Sequence, residues 1–335
     1  MVSEPVNGTA LFDGHGRVVN DLRISLTDRC NFRCVYCMPA EGLAWTPTPE
    51  LLTVDEILRL ASLFISRATR TVRLTGGEPL VRRDIVAIVH GLRALHGDLD
   101  LSLTTNGFLL TRYASALAEA GMNRVNISID SLEPERFASI TRRDALAKVL
   151  EGVDAAIAAG LTPVKINTVM MKGVNDDEVR AFVRFARERA VRVRFIEFMP
   201  LDADKQWRDE DVVTGADLLA TVQAAYPVTP LTTGHDPAVR FGFADGSLGE
   251  VGFINSVSEP FCERCNRVRL SADGQLRTCL FAETETDLRG PMRDGASDAD
   301  LLALIQTALA NKPAGHRINE PGFVRPGRSM SQIGG

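Results

Sequence analysis

No stretch of this 335-residue chain approaches the roughly eighteen unbroken apolar residues that a membrane span needs, and its first residues lack the basic and apolar regions of a signal peptide. A cytoplasmic protein with no membrane partner is the expectation. Cationic excess is missing too: the formal net charge is −5, which argues against a nucleic-acid or acidic-membrane binder. A small anionic substrate remains open if cations converge locally. There is no low-complexity linker, and no long internal repeat beyond a strand–helix alternation. Cysteine is scarce, and the six present do not suggest a disulfide framework in a reducing compartment. Metal binding or redox chemistry is the better use for them.

What the chain does have is ordinary globular composition, 45% hydrophobic and 24% charged, ample for a large core. Residues 1–20 show no sustained periodicity and read as an N-terminal arm or loose lead-in. From Asp21 onward, strand-like runs at Arg23–Thr27, Thr71–Thr75, Asp100–Thr105, Arg124–Ile129, Val164–Met170 and Val191–Phe198 alternate with helical stretches. Thr53 and Glu56 are placed as a capping box for a helix from Val54 to Arg67, with Ile57, Leu60, Ala61 and Phe64 on one face. Ile85, Ile88, Val89 and Leu92 repeat that spacing, and Asp144 is the expected cap of a helix reaching Ala159.

Six strand-then-helix units imply an α/β fold with a parallel sheet and right-handed crossovers. Periodicity alone leaves an open doubly wound sheet and an incomplete TIM-type (βα)6 barrel both standing. In either, ligands gather at the C-terminal ends of the strands. After Asp202 the pattern changes to a helix near Ala216–Ala225 and strand candidates at Val239–Phe243, Glu250–Asn255, Arg267–Ser271 and Gln275–Leu280. We read 21–202 as the partial barrel and 203–335 as a smaller C-terminal layer on its open side.

Cys30, Cys34 and Cys37 form a Cys-x3-Cys-x2-Cys cluster in the loop after the first strand, with Tyr36 directly before the last thiol. Three cysteines leave one iron of a cluster able to take an outside ligand, whereas four would close it. A structural zinc site would need a fourth protein ligand, and nothing marks His15, the nearest upstream histidine, as one. This cluster resembles the signature of the radical S-adenosylmethionine superfamily. The resemblance implies a 4Fe-4S cluster whose open iron binds the amino and carboxylate groups of S-adenosylmethionine, and a 5′-deoxyadenosyl radical made with one electron from a reductive donor.

Gly76-Gly77-Glu78-Pro79 follows the second strand and is similar to that superfamily's segment for the methionine amino group. Polar groups recur at the same rim: Thr104 to Gly107, Ser128 to Asp130, and Met199. By the resemblance, Tyr36, Gly77, Ser128 and Met199 contact S-adenosylmethionine, while Thr104 and Lys165 are substrate positions. Taken alone, each is as well read as a strand-end cap or core filler. Arg23 and Arg73 lie on strands where an inward charge needs a partner, and an anionic ligand would supply it. Arg192 and Arg194 are weaker candidates of the same kind.

A second triplet, Cys262, Cys265 and Cys279, uses every remaining thiol. A zinc ribbon completed by His235 or His316 is the bland alternative. Arg267-Val268-Arg269 places two arginines on one strand face beside the triplet, suited to phosphate or a purine edge. The chain ends in Gly334-Gly335, small enough to thread into a pocket. Together these features resemble the molybdenum cofactor biosynthesis protein A family of GTP 3′,8-cyclases from about Asp21 to Gly335.

That resemblance implies two 4Fe-4S clusters at opposite barrel mouths, the second binding guanine directly. Further implied are substrate contacts from Arg23, Arg73, Thr104, Lys165, Arg267, Val268 and Arg269, and catalytic parts for Arg267, Arg269, Gly334 and Gly335. The reaction implied is cyclisation of GTP to 3′,8-cyclo-7,8-dihydro-GTP, with product passing to cyclic pyranopterin monophosphate synthase and a monomer or homodimer doing the work. Rival readings are a peptide-modifying radical enzyme with an auxiliary cluster, and a non-enzymatic zinc- or cluster-stabilised binding protein.

Overall fold

The computed structural model describes residues 10–202, 206–232, 234 and 236–334. Strands β1 (Asp21–Ser25), β2 (Thr71–Thr75), β3 (Asp100–Thr105), β4 (Arg124–Ser128), β5 (Lys165–Met170) and β6 (Arg192–Glu197) pair in parallel in that order. Between them lie α1 (Val54–Ile65), α2 (Ile85–Leu95), α3 (Leu110–Glu119), α4 (Pro134–Thr141), α5 (Leu146–Ala158) and α6 (Val179–Arg189). After α7 (Gly215–Gln223), six more strands follow: β7 (Val228–Leu231), β8 (Val239–Phe243), β9 (Glu250–Ile254), β10 (Arg267–Leu270), β11 (Gln275–Arg277) and β12 (Thr286–Asp287). Helices α8 (Arg289–Arg293), α9 (Asp298–Ala310) and α10 (Met330–Ile333) complete the order.

β9 joins the far edge parallel to β6, and β10 joins the near edge parallel to β1, so the C-terminal strands continue the barrel sheet on both sides. Antiparallel β8 and β7 extend one edge, while β11 and β12 extend the other, with α9 packed on that second pair. The sheet curls, because Arg269 of β10 and Ile254 of β9 face one shared cavity. β9 and β10 do not pair with each other, so the barrel stays unclosed.

The alternation along each strand decides what the curl encloses. One face carries Leu22, Ile24, Val72, Leu74, Val125, Ile127, Val193 and Phe195, all buried under the helices. In-register neighbours on the other face include Arg269, Arg23, Arg73 and Ser102, and further round Ser128, Asn167 and Arg194. A TIM barrel usually fills its interior with branched apolar side chains. Here the lumen carries arginine, serine and asparagine side chains beside apolar ones such as Ile196, Ile254 and Phe281, and a second small apolar cluster of Leu201, Val257, Phe281 and Ile318 lies apart from the main core.

Thr53 and Glu56 form the expected capping box, and Ile57, Leu60, Ala61 and Phe64 are fully buried. Asp144 does not cap its helix: α5 begins after Ala145 with no side-chain cap bond. β7 and β12 are additional to the expected strands. Residues 11–19 also depart from a loose lead-in, for Phe12 bridges to Val18 and both Leu11 and Val19 are buried. Among the described residues no helix is long and apolar enough to cross a membrane.

Candidate active site

Strand direction places the two cysteine triplets at opposite ends of the lumen. Cys30, Cys34 and Cys37 follow the C-terminal end of β1, whereas Cys262 and Cys265 immediately precede β10, which runs parallel to β1. β11 is antiparallel to β10, so Cys279 just beyond it returns to the β10 start. At about 3.3 Å rise per residue, a five-residue strand separates the two ends by roughly 15–20 Å.

Three buried carboxylates fasten the loops at the C-terminal rim. Glu78 accepts from Leu80 N (2.9 Å), Thr105 Oγ1 (2.8 Å) and Asn106 N (2.7 Å), joining the loops after β2 and β3. Asp130 accepts from the Tyr36 hydroxyl at 2.7 Å and from Val169 N at 2.9 Å, so the cysteine loop is pinned to β4 and β5. Glu197 accepts from Gly215 N, Val257 N and Ser258 N, fixing the segment that leads toward Cys262. Burial raises Glu78 to about 7 and Asp130 to about 6. The loops after β1 and β2 touch backbone to backbone: Gly77 N donates to Thr27 O (2.8 Å) and Glu78 N to Arg29 O (2.8 Å). A Cβ on Gly77 would lie 2.5 Å from the Asp28 and Arg29 carbonyl oxygens, so only glycine permits this approach.

All six cysteines are free thiols, each partly buried. Burial pushes Cys30 up to about 11 and Cys37 to about 12, and it raises Cys34 as well. Bound iron would deprotonate them outright. Phe32 N and Asn106 Nδ2 point at the Cys30 sulfur, at 3.4 and 3.9 Å, the kind of donor a cluster thiolate accepts. At the other end burial opposes ionisation of Cys265, yet Arg267 and Lys312 beside it bring its thiol down to about 7. Both donor sets fit an iron–sulfur cluster with one iron left to a non-protein ligand. Among the described residues no three His, Cys, Asp or Glu side chains gather around a single ion.

Between the triplets lies a cavity whose lining mixes charged and apolar side chains. Cys262, Cys265 and Cys279 line it together with Arg23, Arg73, Arg194, Arg267, Arg269 and Met199. Arg23 Nε is buried without a hydrogen-bond partner, as is Asn167 Oδ1 across the lumen. Burial and then the like charges of Arg73, Arg269 and Arg267 hold the Arg23 guanidinium well below its ordinary range. Lys165 is brought down to about 6 by burial, Arg194 and Arg124, with Asp236 opposing at 3.9 Å. Cations packed this closely are stable only with an anion among them. Asp236 also pairs with Arg194, and Arg267 lies over the Phe261 ring.

The C-terminal segment enters the same lumen from the first triplet's end. Ser331 N donates to the Cys37 sulfur, Ser25 Oγ donates to Ile333 O (3.1 Å), and Arg269 Nε donates to Gly334 O (3.4 Å). Gly334 has φ +80° and leaves no room for a side chain, since a Cβ would sit 2.2 Å from Ser25 Oγ. Gly335 and His235 lie outside the described residues.

Arg23, Arg73, Arg267, Arg269, Met199 and the second triplet thus converge on one cavity. Ser128 lies on the lumen row with Asn167, and Thr104 is bonded by Asn126 Nδ2 at 3.4 Å. Val268 does not join them: its side chain is fully buried on the helix-facing side, so any part it has in binding falls to its backbone. Arg192 is turned to Glu250 at 3.1 Å. His316 reaches the cavity wall beside Phe281, next to the second triplet. Sequence reasoning missed Glu78 and Asp130 as fasteners and Asn167 and Asp236 as lumen residues. Glu78, inside the Gly76–Pro79 segment, and Asp130, at a strand end beside Ser128, carried a local signal, whereas Asn167 and Asp236 did not.

A polar half-open (βα)6 barrel with three cysteines after its first strand defines the radical S-adenosylmethionine class. Residues 24–186 match the Radical SAM superfamily, and residues 191–318 match Molybdenum Cofactor Synthesis C. The chain is 50% identical to GTP 3′,8-cyclase of Streptomyces coelicolor, covering 97% of this chain and 96% of that one. It is 47% identical to GTP 3′,8-cyclase of Mycolicibacterium smegmatis, over 99% and 93% of the two chains. The chain belongs to the GTP 3′,8-cyclase family. In fold it is similar to Streptococcus suis SuiB bound to S-adenosylmethionine, with TM-score 0.60 and 15% identity, covering 93% of this chain and 78% of that one.

Proposed function

We infer that this protein is a radical S-adenosylmethionine enzyme that cyclises GTP to 3′,8-cyclo-7,8-dihydro-GTP, the first step of molybdenum cofactor biosynthesis. The observation that carries the reading is the single cavity in which the second cysteine triplet and four arginines, Arg23, Arg73, Arg267 and Arg269, face one another. Cys30, Cys34 and Cys37 hold one 4Fe-4S cluster, and Cys262, Cys265 and Cys279 hold the other. When bound, the first cluster and S-adenosylmethionine supply the one-electron chemistry that removes a ribose hydrogen and lets C3′ join C8.

The chain's own residues bind, orient and exclude. The Gly77 carbonyl receives the methionine ammonium, on a loop held in place by the Gly77 N–H bond to Thr27 O. Tyr36, fixed by Asp130, walls the cofactor, with Ser128 and Met199 completing the contacts. Arg23, Arg73, Lys165, Arg267 and Arg269 neutralise the triphosphate, each charge-assisted bond contributing about 1.5–3 kcal/mol. Thr104 adds a neutral contact. Gly334 narrows the space between the two clusters and keeps water from the reacting ribose. Residues 21–202 form the cofactor barrel and 203–335 complete the substrate side. A low-potential donor supplies the electron in the cytoplasm, where product passes from a monomer or homodimer to cyclic pyranopterin monophosphate synthase.

The test is anaerobic reconstitution with GTP, S-adenosylmethionine and dithionite, following 5′-deoxyadenosine and GTP by chromatography. Both should change together, and neither should in Cys30→Ala. In Cys262→Ala, GTP should persist. Cofactor cleavage with GTP untouched in the unmodified protein would overturn the substrate assignment and favour a peptide-modifying enzyme.

A further inference from the structure

The N-terminal hairpin reaches the second triplet from outside the cavity. Arg17 donates through Nη1 to Cys262 O (2.7 Å) and Ala314 O (2.6 Å), through Nη2 to Pro313 O (2.8 Å), and through Nε to Asp13 Oδ2 (2.6 Å). Lys312 Nζ donates to Cys265 O (3.1 Å) and Arg267 O (2.9 Å) and lies 3.8 Å from the same Asp13 oxygen. The Asp13 side chain is wholly buried and that of Lys312 is 2% exposed. The segment that Arg17 holds at Pro313 and Ala314 leads directly to His316, whose N–H donates to the Cys262 sulfur. One guanidinium therefore fixes both the backbone of a ligand cysteine and the backbone that bonds its sulfur. Hydrogen bonds from Asn20 N and Asp21 N to Asn266 O tie the hairpin's exit to the same loop.

We propose that Asp13, Arg17 and Lys312 are positioning residues of the second iron–sulfur centre, setting the spacing of the Cys262 and Cys265 thiolates and the reduction potential of the cluster they hold. The inference rests on the reading that Cys262, Cys265 and Cys279 carry a cluster. Its physics is direct. Carbonyl groups three bonds from the ligating sulfurs are locked by charged donors, which fixes the direction in which the open iron faces the cavity. One carboxylate between two cations leaves one net positive charge beside the centre, and that charge favours the reduced cluster. The brace touches no substrate, since Arg17, Asp13 and Lys312 all stand outside the cavity lining.

The experiment uses full-length, anaerobically reconstituted protein: wild type, Arg17→Gln, Arg17→Lys and Lys312→Met. Iron content, potentiometric titration of both centres by electron paramagnetic resonance, and GTP affinity are read on each. For R17Q and K312M the second centre should become harder to reduce, with GTP affinity down about 10- to 100-fold, while the first centre's potential and its cofactor cleavage without GTP stay as in wild type. R17K should recover the potential more fully than the affinity, because it keeps the charge but loses the fork of donors. Loss of iron from the second centre alone in R17Q would support the brace. If R17Q sheds both centres, K312M decides, and an unshifted potential with wild-type affinity there overturns the proposal. A wild-type protein with one cluster overturns the underlying reading; wild type with two and unshifted variants overturns the brace alone.

Discussion

Lys165 shows how much of this site is written in single side chains. Burial, Arg194 and Arg124 hold it down to about 6, with Arg73 adding to them and Asp236 opposing. At neutral pH it is therefore largely uncharged. A triphosphate placed among these groups raises its pKa, so binding takes up protons at any pH between about 6 and the bound value. Calorimetry of GTP binding in buffers of different ionisation enthalpy should show this uptake, and Lys165→Met should remove most of it. Binding without proton uptake would place the phosphates away from Lys165. The cysteines and arginines were legible because their chemistry is fixed by residue type. Asp13, Arg17 and Lys312 were not: Arg17 meets Cys262 across 245 residues, and nothing in the local pattern marks either as the other's partner.

Among the elements, the strand-end loops are held by one another more than by their own strands. The loop after β2 lies on the loop after β1 at Gly77, and any side chain there must push against the carbonyls of Asp28 and Arg29. Gly77→Ala should weaken S-adenosylmethionine binding by about tenfold or more. GTP binding at the far triplet should stay near wild type. Equilibrium dialysis with each ligand separates the two, and equal loss of both would mean that the change spreads through the barrel. The strands themselves were readable as short apolar runs between helical stretches, and β2, β3 and β8 have the expected limits. β7 and β12 escaped because β7 is half exposed and β12 is two residues long, which leaves too little burial to imprint a pattern. Asp144 fell short for another reason: the helix starts one residue later than that cap requires, with Ala145 at the N-cap position.

Across the whole molecule the C-terminal segment links the two centres, passing Cys37 at Ser331 and reaching Arg269 at Gly334. Gly334→Val would set carbon against Ser25 Oγ and Thr75 Cγ2, at 2.2 and 2.7 Å before adding its methyl groups. It should expel the tail. Both clusters should keep their iron, cofactor cleavage should continue, and cyclised product should fall at least about a hundredfold, roughly 2.7 kcal/mol of transition-state stabilisation. Product formation near wild type would remove the tail from the mechanism.

The unpaired seam between β9 and β10 has a mechanical meaning. These strands are neighbours in sequence, yet they belong to opposite sides of the curled sheet, so residues 255–266 form a strap across the opening. Glu197 clamps one end of that strap and the Asn20–Asn266 contact clamps the other. The sheet is thus laced like a shoe rather than sealed like a pipe. The strap ties the two edges of the curled sheet together at both of its ends.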